Sequence, residues 1–206
     1  FIISLLHLLC QNAKYHHHGV SLYYKIEEIL QFFKIEIKRY FSNSEIFSIF
    51  KKNKRILLFL IEEKILEMDE FIINKITSDK YVKMKYPEYF SPEIKPFIQK
   101  EFFIKEHGND NLIKIINKQL PLNFYTDRKS GENHFFLCSL IRNDSVEEFI
   151  QYITINKISI NSTINQSIYE TNSFLLKNEN FSLIEYAAFY GSIQIFQYLV
   201  LNNVEL

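Results

Sequence analysis

Gly and Pro number four each in 206 residues. No other feature narrows the fold so far. A sheet built from hairpins needs, at every reversal, residues that take positive φ or preset a turn, and so few cannot serve a chain of this length. Helices remain. The abundance of Ile, Phe and Tyr pulls the other way, since these residues favour strands on propensity. Their spacing decides, because they recur at helical intervals rather than at every second position.

That spacing can be followed along the chain. "FIISLLHLLC" is a core-facing helix: it lacks a basic leader and is too short to cross a bilayer. From Leu22, apolar residues at Ile26, Ile29, Leu30, Phe33, Ile37 and Phe41 make one buried stripe, predicting a single long helix. Asn43 or Ser44 then caps the next helix, with Glu45 in its first turn. "KRILLFLIEEKIL" is apolar nearly all round between Ile56 and Leu60 and reads as a central helix. Asp69 caps "EFIINKI", and Ser91 before Pro92 and Glu93 marks another start, with Pro96 tolerated near it. "LIKIINKQL" is a short helix. "PLNFYTDRKSGENH", rich in turn formers, reads as a loop over 121–134.

Charge and motif searches limit the chemistry. The 24 basic and 24 acidic residues cancel, so no global field recruits nucleic acid or an anionic membrane; neither is expected as a partner. Two distant cysteines, Cys10 and Cys138, argue against a disulfide framework and for a reducing, cytoplasmic setting. His16, His17 and His18, with His7 and Cys10 upstream, lack the second ligand pair a zinc site needs, and they read as a solvated loop; no metal is expected. Ser130, Glu132 and His134 sit in "KSGENH", where a turn explains them without a nucleophile oriented by a base. "KKNKR" (51–55) is the one dense basic run and reads as an exposed turn between apolar helices, its field cancelled by Glu62 and Glu63. Gly-x-Ser-x-Gly, Walker-type loops and His-Glu-x-x-His are all missing. The expectation is a non-enzyme with no catalytic residues, no cofactor and no small-molecule substrate.

From His134 the pattern repeats. "IRNDSVEEFIQYI" (141–153) lies over "AFYGSIQIFQYLV" (188–200): Asp144 falls on Gly191, Ser145 on Ser192, Val146 on Ile193, Phe149 on Phe196, Tyr152 on Leu199 and Ile153 on Val200. Each is a tight turn followed by a helix with one apolar side. "FKKNKRILLFLI" from Phe50 is a looser third copy, with Asn53 at the turn and the apolar register slipped by one.

"SLIEYAAFYGSIQIFQYLVLNNVE" resembles an ankyrin repeat. Ser182 stands at the family's Thr, Ile184 at its Leu, Ala187 and Ala188 at its Ala pair and Gly191 at its Gly. Ile195, Phe196, Leu199 and Val200 stand in the second helix, and Asn203, Val204 and Glu205 approximate the hairpin. Leu183 and Glu185 replace the family's Pro and His. The interval from Asp144 to Gly191 exceeds the ~33 residues of an ankyrin unit, so "NSTINQSIYETNSFLLKN" must hold the excess as a long loop. The wider Ile/Asn/Lys/Phe-rich arrangement resembles the degenerate ankyrin families expanded in parasitic protists.

The resemblance implies an all-α, helical-pair solenoid. Residues 1–120 would form an irregular helical N-terminal cap, and residues 134–206 the first ankyrin-like repeats of an array continuing past Leu206. It implies a scaffold that binds another protein. Phe181, Phe189 and Tyr190 are the candidate partner-binding residues, together with the positions around Asn178 and Glu179. Ala187, Ala188, Gly191 and Leu199 are the structural repeat positions, the alanines letting two helices pack closely and Gly191 taking a positive φ between them. The aromatics could instead pack on the inserted loop or on a following repeat. A regulatory or targeting segment of a larger enzyme is the alternative reading. One repeat has a single neighbour, so Ile195, Phe196, Leu199 and Val200 cannot all be buried.

Overall fold

A computed structural model describes residues 1–15, 20–98, 110–172, 174–176 and 180–204. The protein is all-α, and among the described residues the only β pairing is one isolated antiparallel bridge, Thr163 to Ser182. No described helix is long and apolar enough to cross a membrane. The chain divides into two compact units, Phe1–Gly131 with Thr171–Ser173, and Glu132–Glu170 with Phe174–Leu206.

The first unit holds α1 (Ile2–Tyr15), α2 (Val20–Phe32), α3 (Lys34–Tyr40), α4 (Asn43–Phe50), α5 (Lys54–Glu62), α6 (Glu70–Ile76), α7 (Asp79–Lys83), α8 (Tyr86–Tyr89), α9 (Ser91–Ile98), α10 (Asp110–Asn117) and α11 (Phe124–Ser130). Leu6 and Leu9 of α1, Ile26 and Leu30 of α2, Ile46 and Phe50 of α4 and Ile56 to Leu58 of α5 share one core. The expected long helix over 22–41 is instead two, broken at Phe33 (φ −92°, ψ 15°). The break is a kink, because Phe33 still accepts from the Ile37 N–H at 2.9 Å. The cap of α4 is Ser42, one residue before the expected Asn43 or Ser44: its side chain accepts from the Glu45 N–H while Glu45 reaches back to the Ser42 N–H, a closed capping box. Asp69 caps α6 as expected.

Two expectations about polar stretches fail, for one reason: the buried cations of this unit hold backbone carbonyls. Lys54 and Arg55 are not in an exposed turn but buried. Lys54 donates to the Met84 carbonyl at 3.3 Å and lies 5.1 Å from the Tyr89 ring centroid. Arg55 pairs with Glu27 at 3.3 Å, donates to the Ser130 carbonyl and lies 4.3 Å from the Tyr23 ring centroid. Asn53 caps α5 in an extended conformation (φ −127°), so the looser third copy does not reproduce a positive-φ turn. The 121–134 stretch is likewise not all loop. Phe124–Ser130 is helical and clamped by Arg128, which pairs with Glu93 at 2.8 Å and donates to the Tyr89 carbonyl at 3.1 Å. Gly131 ends it at φ +71°, where a Cβ would stand 2.9 Å from Arg55 Cδ.

The second unit holds α12 (Phe136–Arg142), α13 (Val146–Ile155), α14 (Leu183–Tyr190) and α15 (Ile193–Leu201), around Leu140, Ile141, Phe149, Leu183, Ile184, Ala187, Ile195 and Leu199. The connection from α13 to α14 contains no described helix, as the inserted-loop reading requires.

Its two helical pairs repeat at an interval of 47 residues, down to single hydrogen bonds. α12 and α14 begin at 136 and 183, and α13 and α15 at 146 and 193. Asp144 and Gly191 both take positive φ, 52° and 68°. Ser145 and Ser192 match in both dihedrals, at φ −80°, ψ 73° and φ −78°, ψ 80°. The Ser145 N–H reaches the Leu140 carbonyl as that of Ser192 reaches Ala187; Asp144 to Ile141 repeats as Gly191 to Ala188. The second helix of each pair is followed by a positive φ two residues on, at Lys157 and Asn203, but these are one residue out of the 47-residue register because α15 is one residue shorter than α13.

Candidate interaction surface

α14 carries most of the predicted positions, and its start is well fixed. Ser182 and Glu185 form a second closed capping box. The helix buries Leu183, Ile184, Tyr186, Ala187 and Tyr190 and ends at Gly191, whose N–H bonds the Ala188 carbonyl.

Two of the three predicted partner-binding residues lie inside the unit. Tyr190 is 7% exposed and its ring centroid stands 4.7 Å from that of Tyr186; Phe181 is 6% exposed. Neither ring offers a surface, because the inserted loop and the Arg142 network already cover them. Phe189 is half-buried and stacks on Phe174 at 5.5 Å with planes 10° apart; Phe174 meets Phe181 edge-on. Phe174 is 59% exposed. The surface aromatic pair is therefore Phe174 with Phe189, and Phe174 escaped the sequence reading. Its signal was the apolar run Phe174–Leu175–Leu176 inside an Asn- and Ser-rich insertion; Leu175 and Leu176 are buried and pin the run. Asn178 and Glu179 lie outside the described residues.

Ala187 and Leu199 are fully buried and Gly191 takes a positive φ. Ala188 does not pack between helices: it is exposed, whereas its counterpart Ile141 is fully buried. The difference is one of neighbours. Ile141 lies against the second pair, with Ser192 Oγ donating to its carbonyl, whereas Ala188 is exposed.

A partly buried polar network is centred on Arg142. Arg142 bonds the Asn133 carbonyl at 2.8 Å and Tyr186 Oη at 3.1 Å, and pairs with Glu132 at 3.1 Å. Burial alone would lower the Arg142 pKa, but neighbouring Tyr186 and Glu132 outweigh it and raise it. Burial drives the Tyr186 and Tyr190 phenols well above their ordinary range and pushes the Cys138 thiol up to about 12, with Arg142 pulling it back in part. The network fixes α12 against α14.

The other sequence candidates do not converge. Ser130 Oγ donates to the Asp127 carbonyl, Glu132 holds Arg142, and His134 Nδ1 shares a hydrogen with Ser167 Oγ at 2.8 Å. That Ser167 hydroxyl is buried and accepts from the Tyr169 N–H, so the pair fixes the loop geometry. Cys10 donates to the Ile49 carbonyl, His16–His18 lie outside the described residues, and no group of three or more His, Cys, Asp or Glu among the described residues could hold a metal ion. Both cysteines are free thiols. No protein-family model, curated protein or solved structure matches this chain.

Proposed function

We propose that this chain is a non-catalytic protein–protein interaction scaffold, and that its second unit is a pair of ankyrin-like repeats of the degenerate type. The observation that supports this most is the 47-residue interval at which the helix starts, the positive-φ turn within each pair and its hydrogen bonds recur. A chain that stacks similar hairpins gains a surface whose positions can vary while the fold is kept. Here that surface includes Ala188, Phe189 and Phe174, a stacked aromatic pair near a small exposed residue. The partner is another protein.

The test is site-specific photo-crosslinking of the 206-residue chain in a native lysate, with p-benzoylphenylalanine in place of Ala188 and, as control, of Lys157. A saturable protein adduct from position 188 alone, reduced about tenfold by Phe189→Ala, fits the proposal. Equal adducts from both positions, or none at all, count against it.

A further inference from the structure

We propose that a recess in the first unit, between α1 and the turn joining α4 to α5, binds a small phosphate monoester. The scaffold reading concerns the other unit, and neither depends on the other. The recess encloses about 230 Å³. On one wall His7, Cys10 and Gln11 follow at helical spacing along α1 and share a face. Ser48 of α4 stands on the other, followed by Lys51 and Lys52 of the turn. Residues 171–172, which belong to the same unit, complete the lining. None of the described residues lining it is acidic.

The charge there is positive and uncancelled. The zero net charge of the whole chain hides a division: the first unit carries 21 basic and 16 acidic residues, the second three basic and eight acidic. Within the 51–55 run, Lys54 and Arg55 are buried against carbonyls and rings. Glu62 and Glu63, the acids expected to cancel the run, hold Lys129 at 3.3 Å and Lys34 at 3.8 Å instead. Among the described residues, neither Lys51 nor Lys52 forms an ion pair. The carbonyls that end α4 would oppose an anion, but they have partners. Ile49 accepts from Cys10 Sγ at 3.1 Å, Phe50 from the Asn53 N–H at 2.9 Å and Lys51 from Tyr86 Oη at 2.7 Å. Asn53, also in the lining, caps the start of α5, the positive end of a nine-residue helix.

Size and lining select the ligand. Two ammonium groups on consecutive residues suit one compact dianion better than two carboxylates held apart, and Lys binds phosphate as a point charge. The volume falls below the roughly 300–1,000 Å³ of pockets for drug-sized molecules, so the esterified group is short. Gln11 and Ser48 offer an amide and a hydroxyl to hydroxyls on that group. A nucleic-acid strand fits worse, because it needs an extended basic track with aromatic faces for its bases, and no aromatic ring is among the described residues of the lining.

Cys10 reports from inside the recess, since it lines it and is partly exposed, while Cys138 is buried. The experiment follows alkylation of Cys10 by iodoacetamide, a neutral reagent, in the 206-residue chain as glycerol 3-phosphate is added. Ionic strength is held near 0.15 M, where exposed charges more than about 8 Å apart are screened. Alkylation should slow saturably, with half-protection below about 1 mM ester, and calorimetry should return the same constant. Lys51→Gln with Lys52→Gln should weaken binding roughly tenfold or more. Ser48→Phe, which fills the recess and keeps both cations, should do the same; if it unfolds the chain, the lysine pair and calorimetry still decide. Lys114→Gln with Lys118→Gln, an equal loss of charge around α10, should leave binding within about twofold. The proposal is overturned by no binding up to about 10 mM, by binding that survives loss of Lys51 and Lys52, or by an equal loss with the Lys114 and Lys118 pair. Tighter binding of succinate, a single-stranded oligonucleotide or phosphatidic acid vesicles than of glycerol 3-phosphate overturns it as well. Crosslinking at Ala188 reads the other unit, so the scaffold reading stands or falls separately.

Discussion

Gly191 and Asp144 occupy one position in two hairpins and solve the same backbone problem by different means. Both take positive φ, where a side chain is strained. A Cβ built on Gly191 meets no atom within 4 Å, so the expense of Gly191→Val is conformational alone. Chemical denaturation should show a loss of about 1–3 kcal/mol; an unchanged midpoint contradicts the assigned turn. Cys138 gives a second residue-scale test. Burial raises its pKa from 9.0 to about 12. A raised folded-state pKa stabilises fully below the unfolded value and is lost as pH climbs towards the folded one, so this contribution fades between pH 9 and 12. At pH 8 a thiol reagent should modify partly exposed Cys10 and leave Cys138 unmodified until the chain is unfolded. Equal labelling rates contradict the buried assignment.

At the scale of elements, the two hairpins are joined by a cap that crosses between them. Ser192 precedes α15 but gives its hydroxyl to the Ile141 carbonyl, so it caps nothing. The Asp144 carboxylate does that work from the first pair, with one oxygen on the Gln194 N–H and the other on the Ile195 N–H, each at 3.0 Å. Asp144→Ala should therefore cost about 1–2 kcal/mol, and Asp144→Asn less, since Asn tolerates the left-handed backbone and still accepts one bond. Equal losses would mean the cap is not what holds α15. In the first unit, Glu93→Gln should cost about 3–5 kcal/mol, because it leaves the Arg128 guanidinium buried without its counterion; a thermal melt that does not move excludes the clamp. These elements also show what could be read in advance. Periodicity located most helices, and the pairing of Asp144 with Gly191 located the repeat. Capping boxes are local chemistry, and Ser182 with Glu185 was visible in "SLIE". The helix at Phe124–Ser130 was not, since its turn-forming sequence is overridden by a tertiary clamp from Arg128. Lys54 and Arg55 were misplaced because a basic run implies solvent unless the aromatic rings and carbonyls that receive it are known. Phe189 was found and Phe174 missed for a similar reason: the stack joins a helix to an inserted loop that no repeat pattern describes.

At the scale of the whole molecule, a neutral chain consists of two units of opposite charge, each with its own core. Composition alone concealed this, because the totals cancel and only the unit boundary separates them. The acidic unit is the one built from repeats, and the basic unit is the one that holds the anion recess. The account depends most on the claim that this unit is one hairpin design used twice and stacked. NOE and scalar-coupling measurements on the isotopically labelled 206-residue chain test that claim most directly. It predicts NOEs between the Phe149 and Tyr198 rings and between Ile141 and Ser192, with left-handed couplings at both Asp144 and Gly191. Right-handed or extended couplings at Asp144, together with no NOE linking α13 to α15, would contradict it.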